Sequence, residues 1–353
     1  VSAIAFAIPG DIDLPTGGYG YDRRLLKEWR EAGIPARHLA LPGAFPFPTA
    51  DDVALTERIL ASAGPEETLL VDGLAFGAFP EALAARFGGR IVALVHHPLA
   101  LETGLDAATA WRLRDSETLA LRHARAVVVT SPPTKEVLSA EFGVPPDKIA
   151  VALPGTDPAP RTEPRLGAGP ARLLAVGSIV PRKGYDVLLA ALAQIADRGW
   201  LLTIAGSPDY APATAAALRD AIRDAGFAER IKLAGAVDQD RLSALYASAD
   251  IFVMPSLYEG YGMVLTEALA RGLPIVCTRS GAAADALPDA AALKVTPGDA
   301  MALAKGLARL IDAPSERRAR ADAAWAGAAT LPCWRDTART VAEACLGGGP
   351  RMD

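Results

Sequence analysis

The stretch ADIFVMPSLYEGYGMVLTEALARGLPIVCT, residues 249–278, decides the fold. It opens on a short apolar run at 251–254 without polar alternation, the pattern of a strand buried on both faces. A loop carrying Glu259, Gly260, Tyr261 and Gly262 follows. Apolar residues at helical spacing then predict a helix over 261–271, and a second apolar run at 275–278 predicts another buried strand. Strand, helix and strand in that order argue for a parallel sheet.

The same rhythm extends outward in both directions. Upstream, apolar runs predict strands at 3–8, 68–71, 91–95, 126–130 and 149–153. The second half adds 173–176, 201–205, 231–233 and 293–296, with helical patterns between them such as 186–196. The architecture implied is α/β, with two Rossmann-like halves. The rhythm breaks at 153–170, LPGTDPAPRTEPRLGAGP, whose prolines exclude regular structure. That stretch reads as a linker, giving domains at 1–160 and 161–330. Residues 331–353 read as a C-terminal helix and a frayed tail, the helix packing back toward the first domain.

A chain of 353 residues suits two domains of ordinary size. Hydrophobic residues are 51% and charged residues 22%, which excludes a disordered chain. The net charge of −5 argues against a nucleic-acid partner. No apolar run reaches the roughly 18 to 20 residues of a membrane span. The apolar opening at 1–8 lacks a basic flank and meets Pro9-Gly10, so it reads as a strand and not as a signal peptide. Cys277, Cys333 and Cys345 are too scattered for a disulfide framework or a metal pair, which fits a reducing, cytoplasmic setting.

Four places carry candidate chemistry. In AVGSIVPRKG, residues 175–184, a strand ends at Gly177-Ser178, and Arg182 and Lys183 precede a helix starting near Tyr185. Two cations beside a helix N-terminus suit an anion with more charge than a carboxylate, such as a diphosphate. In SLYEGYGMVLTE, residues 256–267, Glu259 precedes the helix and Glu267 lies two turns into it. Carboxylates beside an anion site are poor phosphate partners and good acceptors for sugar hydroxyls. Glycines let the backbone approach a ligand, and the first N–H groups of the helix can donate to its oxygens. Gly17-Gly18 follow the first strand but lack the full dinucleotide fingerprint. His96-His97 end the strand at 91–95, where α/β ligands bind, and an imidazole there can hydrogen-bond a substrate or carry a proton. Adjacent histidines at a strand end point to different sides, so no metal pair is expected.

Taken in order along the chain, these segments resemble the retaining glycosyltransferases of the GT-B fold, glycosyltransferase family 4. The likeness is closest over 172–312, in VGSIVPRKGYDVLLAAL, in the quoted stretch and in VTPGDAMALAKGL. It implies two Rossmann-like domains facing each other across a cleft, the first on the acceptor side and the second holding a UDP-, GDP- or ADP-sugar. Arg182 and Lys183 would then neutralise the departing diphosphate, and Glu267 would hold the ribose. Glu259 and the amides from Gly260 to Val264 would hold the donor sugar. Gly17 and Gly18 would close over the phosphates beside Gly177 and Ser178. His96 would face the sugar, and the backbone near Ala236-Val237 would meet the base. No metal and no cofactor are implied.

Two departures stand out. Ser178 occupies a position that is often Arg in the family, and 280–285 reads SGAAAD where a Glu often follows a Gly pair. The triplets Asp11–Asp13 and Asp238–Asp240 look like chance and not like a metal motif. The acceptor is a small molecule, saccharide or glycolipid. Apolar residues in 98–114, among them Leu99, Leu101, Leu105, Trp111 and Leu113, read as an amphipathic helix in preference to a lipid contact. A peripheral membrane contact is therefore not favoured. A nucleotide-sugar epimerase and a non-catalytic nucleotide-sugar binder are the alternatives; an NAD-dependent oxidoreductase is disfavoured by the incomplete glycine fingerprint.

Overall fold

A computed structural model describes residues 3–347, apart from 103, 164 and 166–168. Expectations placed on Val1, Ser2, Thr103, part of the 153–170 stretch and the tail after Gly347 lie outside the described residues.

The chain divides into two compact units, 1–155 with 332–353, and 156–331. In the first unit the strands are β1 (Ala3–Pro9), β2 (Ala36–Leu41), β3 (Glu67–Asp72), β4 (Ile91–Val95), β5 (Ala126–Val129) and β6 (Ile149–Val151). They form one sheet in the order β2-β1-β3-β4-β5-β6. In the second the strands are β7 (Ala171–Val176), β8 (Trp200–Ala205), β9 (Ile231–Gly235), β10 (Ile251–Met254), β11 (Ile275–Thr278) and β12 (Ala292–Val295). Their order is β12-β11-β10-β7-β8-β9. Every pairing is parallel. The strand order reverses direction beside β1 in one sheet and beside β7 in the other. Such switch points open a crevice at the carboxyl ends of the strands.

The central strands are buried on both faces. Ile4 to Ile8 and Leu69 to Val71 have no exposure, which explains their continuous apolar runs. Strand β2 is the one the sequence reading missed. It lies at the sheet edge, its Arg37 and His38 are exposed, and only Leu39 and Leu41 are buried. Half-exposed edge strands carry no continuous apolar signal.

The stretch read as a linker is part of the second unit from Thr156 onward. Thr156 Oγ1 lies 2.9 Å from Thr266 Oγ1, the Thr162 amide donates to the Arg271 carbonyl at 2.8 Å, and Arg165 pairs with the buried Asp250. Among the described residues of the stretch prolines keep helix and strand out, and these bonds replace the missing ladder.

The C-terminal helix Trp334–Leu346 packs on the first unit. Trp29 Nε1 donates to the Ala338 carbonyl at 2.9 Å, and Thr68 and Arg125 donate to the Cys345 carbonyl at 2.8 and 2.6 Å. Gly155 crosses so close to the Trp334 backbone that no side chain fits between them. Among the described residues no helix is long and apolar enough to cross a membrane.

Candidate functional site

In the second unit, β7 ends at Val176 and the chain turns through Gly177, Ser178 and the buried Ile179 into a short 3-10 turn, Pro181–Lys183. Gly184 then takes a left-handed conformation, φ 63°, and the helix Tyr185–Ala193 begins where the spacing predicts. Any side chain at Gly184 would run into the Pro255 carbonyl, so the loop after β7 is pressed against the loop after β10.

That approach brings three of the sequence-derived site residues together. Lys183 is only 9% exposed, and its Nζ lies 2.5 Å from Glu259 Oε1. Ser256 Oγ donates to the same oxygen at 2.7 Å. Arg182 Nη1 lies 3.3 Å from Glu259 Oε2. Burial pushes the Glu259 carboxyl up, but the Lys183 and Arg182 charges more than offset it and hold it below the ordinary carboxylate range. Lys183 is thus a buried cation and not a solvated loop charge. Glu259 is held by both cations.

Gly281 backs this loop. A Cβ there would lie 2.7 Å from Glu259 Cβ, and the Ala283 amide donates to the Tyr261 carbonyl at 2.9 Å. The 280–285 departure therefore buttresses Glu259 through small residues, while Asp285 itself is exposed.

The helix carrying Glu267 starts at Met263, two residues later than the sequence spacing suggests. Gly262, with φ 96°, ends the loop Gly260-Tyr261-Gly262 in a left-handed turn before the helix Met263–Ala270 can begin. Val264 and Glu267 lie on that helix. Glu267 is not an exposed helix charge: Tyr246 Oη donates to its Oε2 at 2.8 Å, and burial raises its pKa. Arg271 stacks over the Tyr246 ring at 4.4 Å. Tyr246, fully buried, was invisible in the sequence because it lies on a different helix, Gln239–Ser248. Val237 follows β9 and is half-exposed. Asp238 caps the Gln239–Ser248 helix by accepting from the Arg241 amide at 2.8 Å, and Asp11 accepts from the Asp13 amide at 2.9 Å. Both acidic triplets thus have local roles.

In the first unit, Gly17 and Gly18 are not loop residues. They form the first turn of the helix Gly17–Glu31, with Thr16 as N-cap. This turn lies against His96, and a Cβ on Gly18 would sit 3.4 Å from His96 Cδ2, an ordinary contact. Tyr21 meets the imidazole edge-on, with ring centroids 5.1 Å apart, and donates through its Oη to the Ala152 carbonyl.

His96 has two partners that sequence reading missed. Its Nε2 lies 3.1 Å from Asp22 Oδ1 and 3.5 Å from Asp72 Oδ2. Asp22 is fully buried, and Asp72 is at the carboxyl end of β3, where it also accepts from the Leu74 amide at 2.7 Å. Burial alone would push the His96 ring down, but Asp22 and then Asp72 raise it to about 10. Burial raises the Asp22 carboxyl to about 7, against the opposing pull of His96. The missed signal was position: Asp72 directly follows the predicted strand at 68–71, as His96 follows the one at 91–95. The ligating atoms of Asp22, Asp72 and His96 lie within 4.8 Å of one another, so among the described residues this trio is close enough to hold a metal ion.

After His96 the expected amphipathic helix appears in two parts, a 3-10 turn Leu99–Leu101 and the helix Ala107–His123. Leu99 and Leu113 are buried, and Trp111 is 66% exposed.

A family model described as "Glycosyl transferases group 1" matches residues 159–325, and one described as "Glycosyltransferase Family 4" matches 71–160. A MMP alpha-(1->4)-mannosyltransferase of Mycolicibacterium hassiacum is 30% identical over 275 residues, 73% of this chain and 66% of that protein. The chain therefore spans a little under two thirds of that relative's length. Sucrose-phosphate synthase from Thermosynechococcus elongatus superposes with a TM-score of 0.80 at 20% identity, over 96% of this chain and 98% of the other. Anabaena HepE, in complex with UDP and glucose, superposes with a TM-score of 0.74 at 20% identity, over 96% and 98% of the two chains.

Proposed function

Because this chain belongs to the group 1 glycosyl transferases of family 4 and has the GT-B fold, we propose that it is a retaining glycosyltransferase. It moves a sugar from a nucleoside-diphosphate donor to a hydroxyl acceptor without a metal. The observation that carries this reading is the buried Lys183 ammonium beside Arg182 at the carboxyl end of β7. A buried cation at a strand's carboxyl end suits a ligand that is strongly anionic.

The chemistry follows from the charges. Breaking a glycosyl–phosphate bond builds negative charge on the diphosphate, and preorganised Arg182 and Lys183 stabilise it. They do so without a metal. Glu259 holds both cations and exchanges part of that pairing for sugar hydroxyls when the donor enters. The first-turn amides at Met263 and Val264 receive ligand oxygens, and Glu267, oriented by Tyr246, accepts ribose hydroxyls. In the first unit His96 hydrogen-bonds a substrate oxygen.

The test is calorimetric titration with UDP, GDP, ADP and NAD, with and without a divalent cation. One nucleoside diphosphate should bind without added metal. Losing a charge-assisted contact costs about 1.5–3 kcal/mol, so Lys183→Ala should weaken that binding by roughly ten-fold or more. NAD binding in place of a nucleoside diphosphate would overturn the reading. So would unchanged affinity in both Lys183→Ala and Arg182→Ala. Turnover of donor without acceptor would favour an epimerase.

A further inference from the structure

The donors that converge on the Glu259 carboxylate divide it unevenly. Oε1 accepts from Lys183 Nζ at 2.5 Å and from Ser256 Oγ at 2.7 Å. Oε2 faces Arg182 Nη1 alone among the described residues, at the longer 3.3 Å. A carboxylate has about four lone-pair sites, half of them on each oxygen. Oε1 is therefore filled, and Oε2 keeps an open site beside the most weakly held partner. Burial divides the two sides in the same way. Ser256 has no exposure and the Lys183 side chain 11%, against 28% for Arg182. Ser256 is itself held from behind. Thr278 Oγ1 donates to the Ser256 carbonyl at 2.5 Å, and with that proton committed the Ser280 hydroxyl donates to Thr278 Oγ1 at 2.9 Å. Thr278 ends β11, so this buried hydroxyl chain ties a strand end to the loop after β10. Gly281 packs against Glu259 Cβ, which limits how far the carboxylate can turn.

We infer that Ser256 is a positioning residue that keeps Glu259 Oε1 on Lys183, so that Oε2 alone is offered to the donor and Glu259 reads a single hydroxyl of the donor sugar. Oε2 exchanges its long Arg182 bond for that hydroxyl. Lys183 stays on Oε1 and turns its remaining N–H groups to the diphosphate, since an ammonium carries several donors and commits only one to Glu259. A carboxylate that chelates two neighbouring hydroxyls uses both of its oxygens, and the filled Oε1 closes that mode to Glu259. One hydroxyl position on the sugar then governs what this carboxylate accepts. A donor that lacks that hydroxyl, or carries it inverted, leaves the charged Oε2 without the bond and is rejected. This selectivity rests on the transferase reading and adds to it how its sugar site discriminates.

The test is calorimetry on the full chain with the nucleoside diphosphate that binds in the titration above. Its glucose and mannose esters, and the monodeoxy forms of those esters, are compared with the bare nucleotide. Each titration is repeated in Glu259→Gln. Losing one charge-assisted bond should weaken binding roughly ten-fold or more. A single deoxy position should carry that loss in the wild type and carry little of it in Glu259→Gln. Two neighbouring positions that both depend on Glu259 would show a chelated diol and overturn the proposal. So would deoxy penalties that Glu259→Gln leaves unchanged at every position.

Ser256→Ala then tests the positioning role, because it opens a lone-pair site on Oε1. Affinity for the bare nucleoside diphosphate should stay within a few-fold, while a second, neighbouring hydroxyl joins the first in depending on Glu259. An equal loss for bare and sugar-bearing nucleotides would show a merely structural role and overturn the assignment. Should that variant fail to fold, the wild-type and Glu259→Gln titrations still decide between one hydroxyl and two. Binding of no nucleoside diphosphate at all would bring down the transferase reading and this proposal with it. Nucleotide binding with the wrong hydroxyl pattern would overturn this proposal alone.

Discussion

The Lys183 ammonium and the Glu259 carboxylate are both nearly buried and 2.5 Å apart. Removing one partner of a buried pair strands the other charge and costs about 3–5 kcal/mol, whereas replacing both is often close to neutral. Glu259→Ala should therefore destabilise the second unit by that order in urea titration, and Lys183→Met with Glu259→Gln should recover most of the loss. A Glu259→Ala cost under about 1 kcal/mol would mean that the pair is solvated. The same variant should also disturb nucleotide binding, because Glu259 orients both Lys183 and Arg182. Reading the chain alone separates these roles: Arg182-Lys183 look like a phosphate site and Glu259 like a sugar site. Charges 76 residues apart along the chain show no pairing in sequence, so their shared site is a tertiary result.

At the scale of elements, the helix Ala107–His123 carries a buried carboxyl at Glu117. It accepts from the Leu99 amide at 2.9 Å and so ties the turn that follows His96 to the helix. Burial raises Glu117 to about 8 from an ordinary 4.5, against the opposing effect of the Leu99 amide. The folded state thus binds a proton that the unfolded state releases, and stability falls as pH rises from about 4.5 to about 8. Glu117→Gln keeps an acceptor for the amide and removes the titration. Comparing denaturant midpoints at pH 5.5 and pH 8.5, the wild type should lose a few kcal/mol more than the variant. Equal losses would show that Glu117 is ionised at both.

A second element-level case is Gly184, between the 3-10 turn and the helix Tyr185–Ala193. With φ 63° and the Pro255 carbonyl against it, Gly184→Ala combines left-handed strain with a backbone collision, about 1–3 kcal/mol or more. Nucleoside-diphosphate affinity should fall with it, since the turn holding Lys183 must move. Retained stability and affinity would show that the two loops are free to separate.

For the whole molecule, the C-terminal segment matters most. The helix Trp334–Leu346 returns to the first unit after the second is complete. Cys345 lies on that returning helix and is fully buried; Cys277 is fully buried in β11, and burial pushes each thiol up to about 12. Cys333 is exposed. Thiol labelling of the native chain should therefore modify Cys333 quickly and the other two only on opening. Under rising denaturant, Cys345 reports the first unit and Cys277 the second. Fast labelling of Cys345 in native buffer would show that the terminal helix is not docked.

The pattern of apolar runs and helical spacings by itself determined an α/β chain of two parallel-sheet halves, because buried parallel strands must be continuously apolar and helices must show a repeat near 3.6. It also located Arg182, Lys183, Glu259 and His96 at strand ends and helix starts, and Glu267 inside a helix, since those places follow from strand and helix order. Strand β2 escaped, as an edge strand needs only alternate apolar residues. The cation–carboxylate cluster, the Tyr246 contact to Glu267 and the Asp22–His96–Asp72 trio were decided by tertiary structure alone. Each joins residues from separate strands or helices, and hydrogen bonds act over about 3 Å in space, a distance that spacing along the chain does not encode.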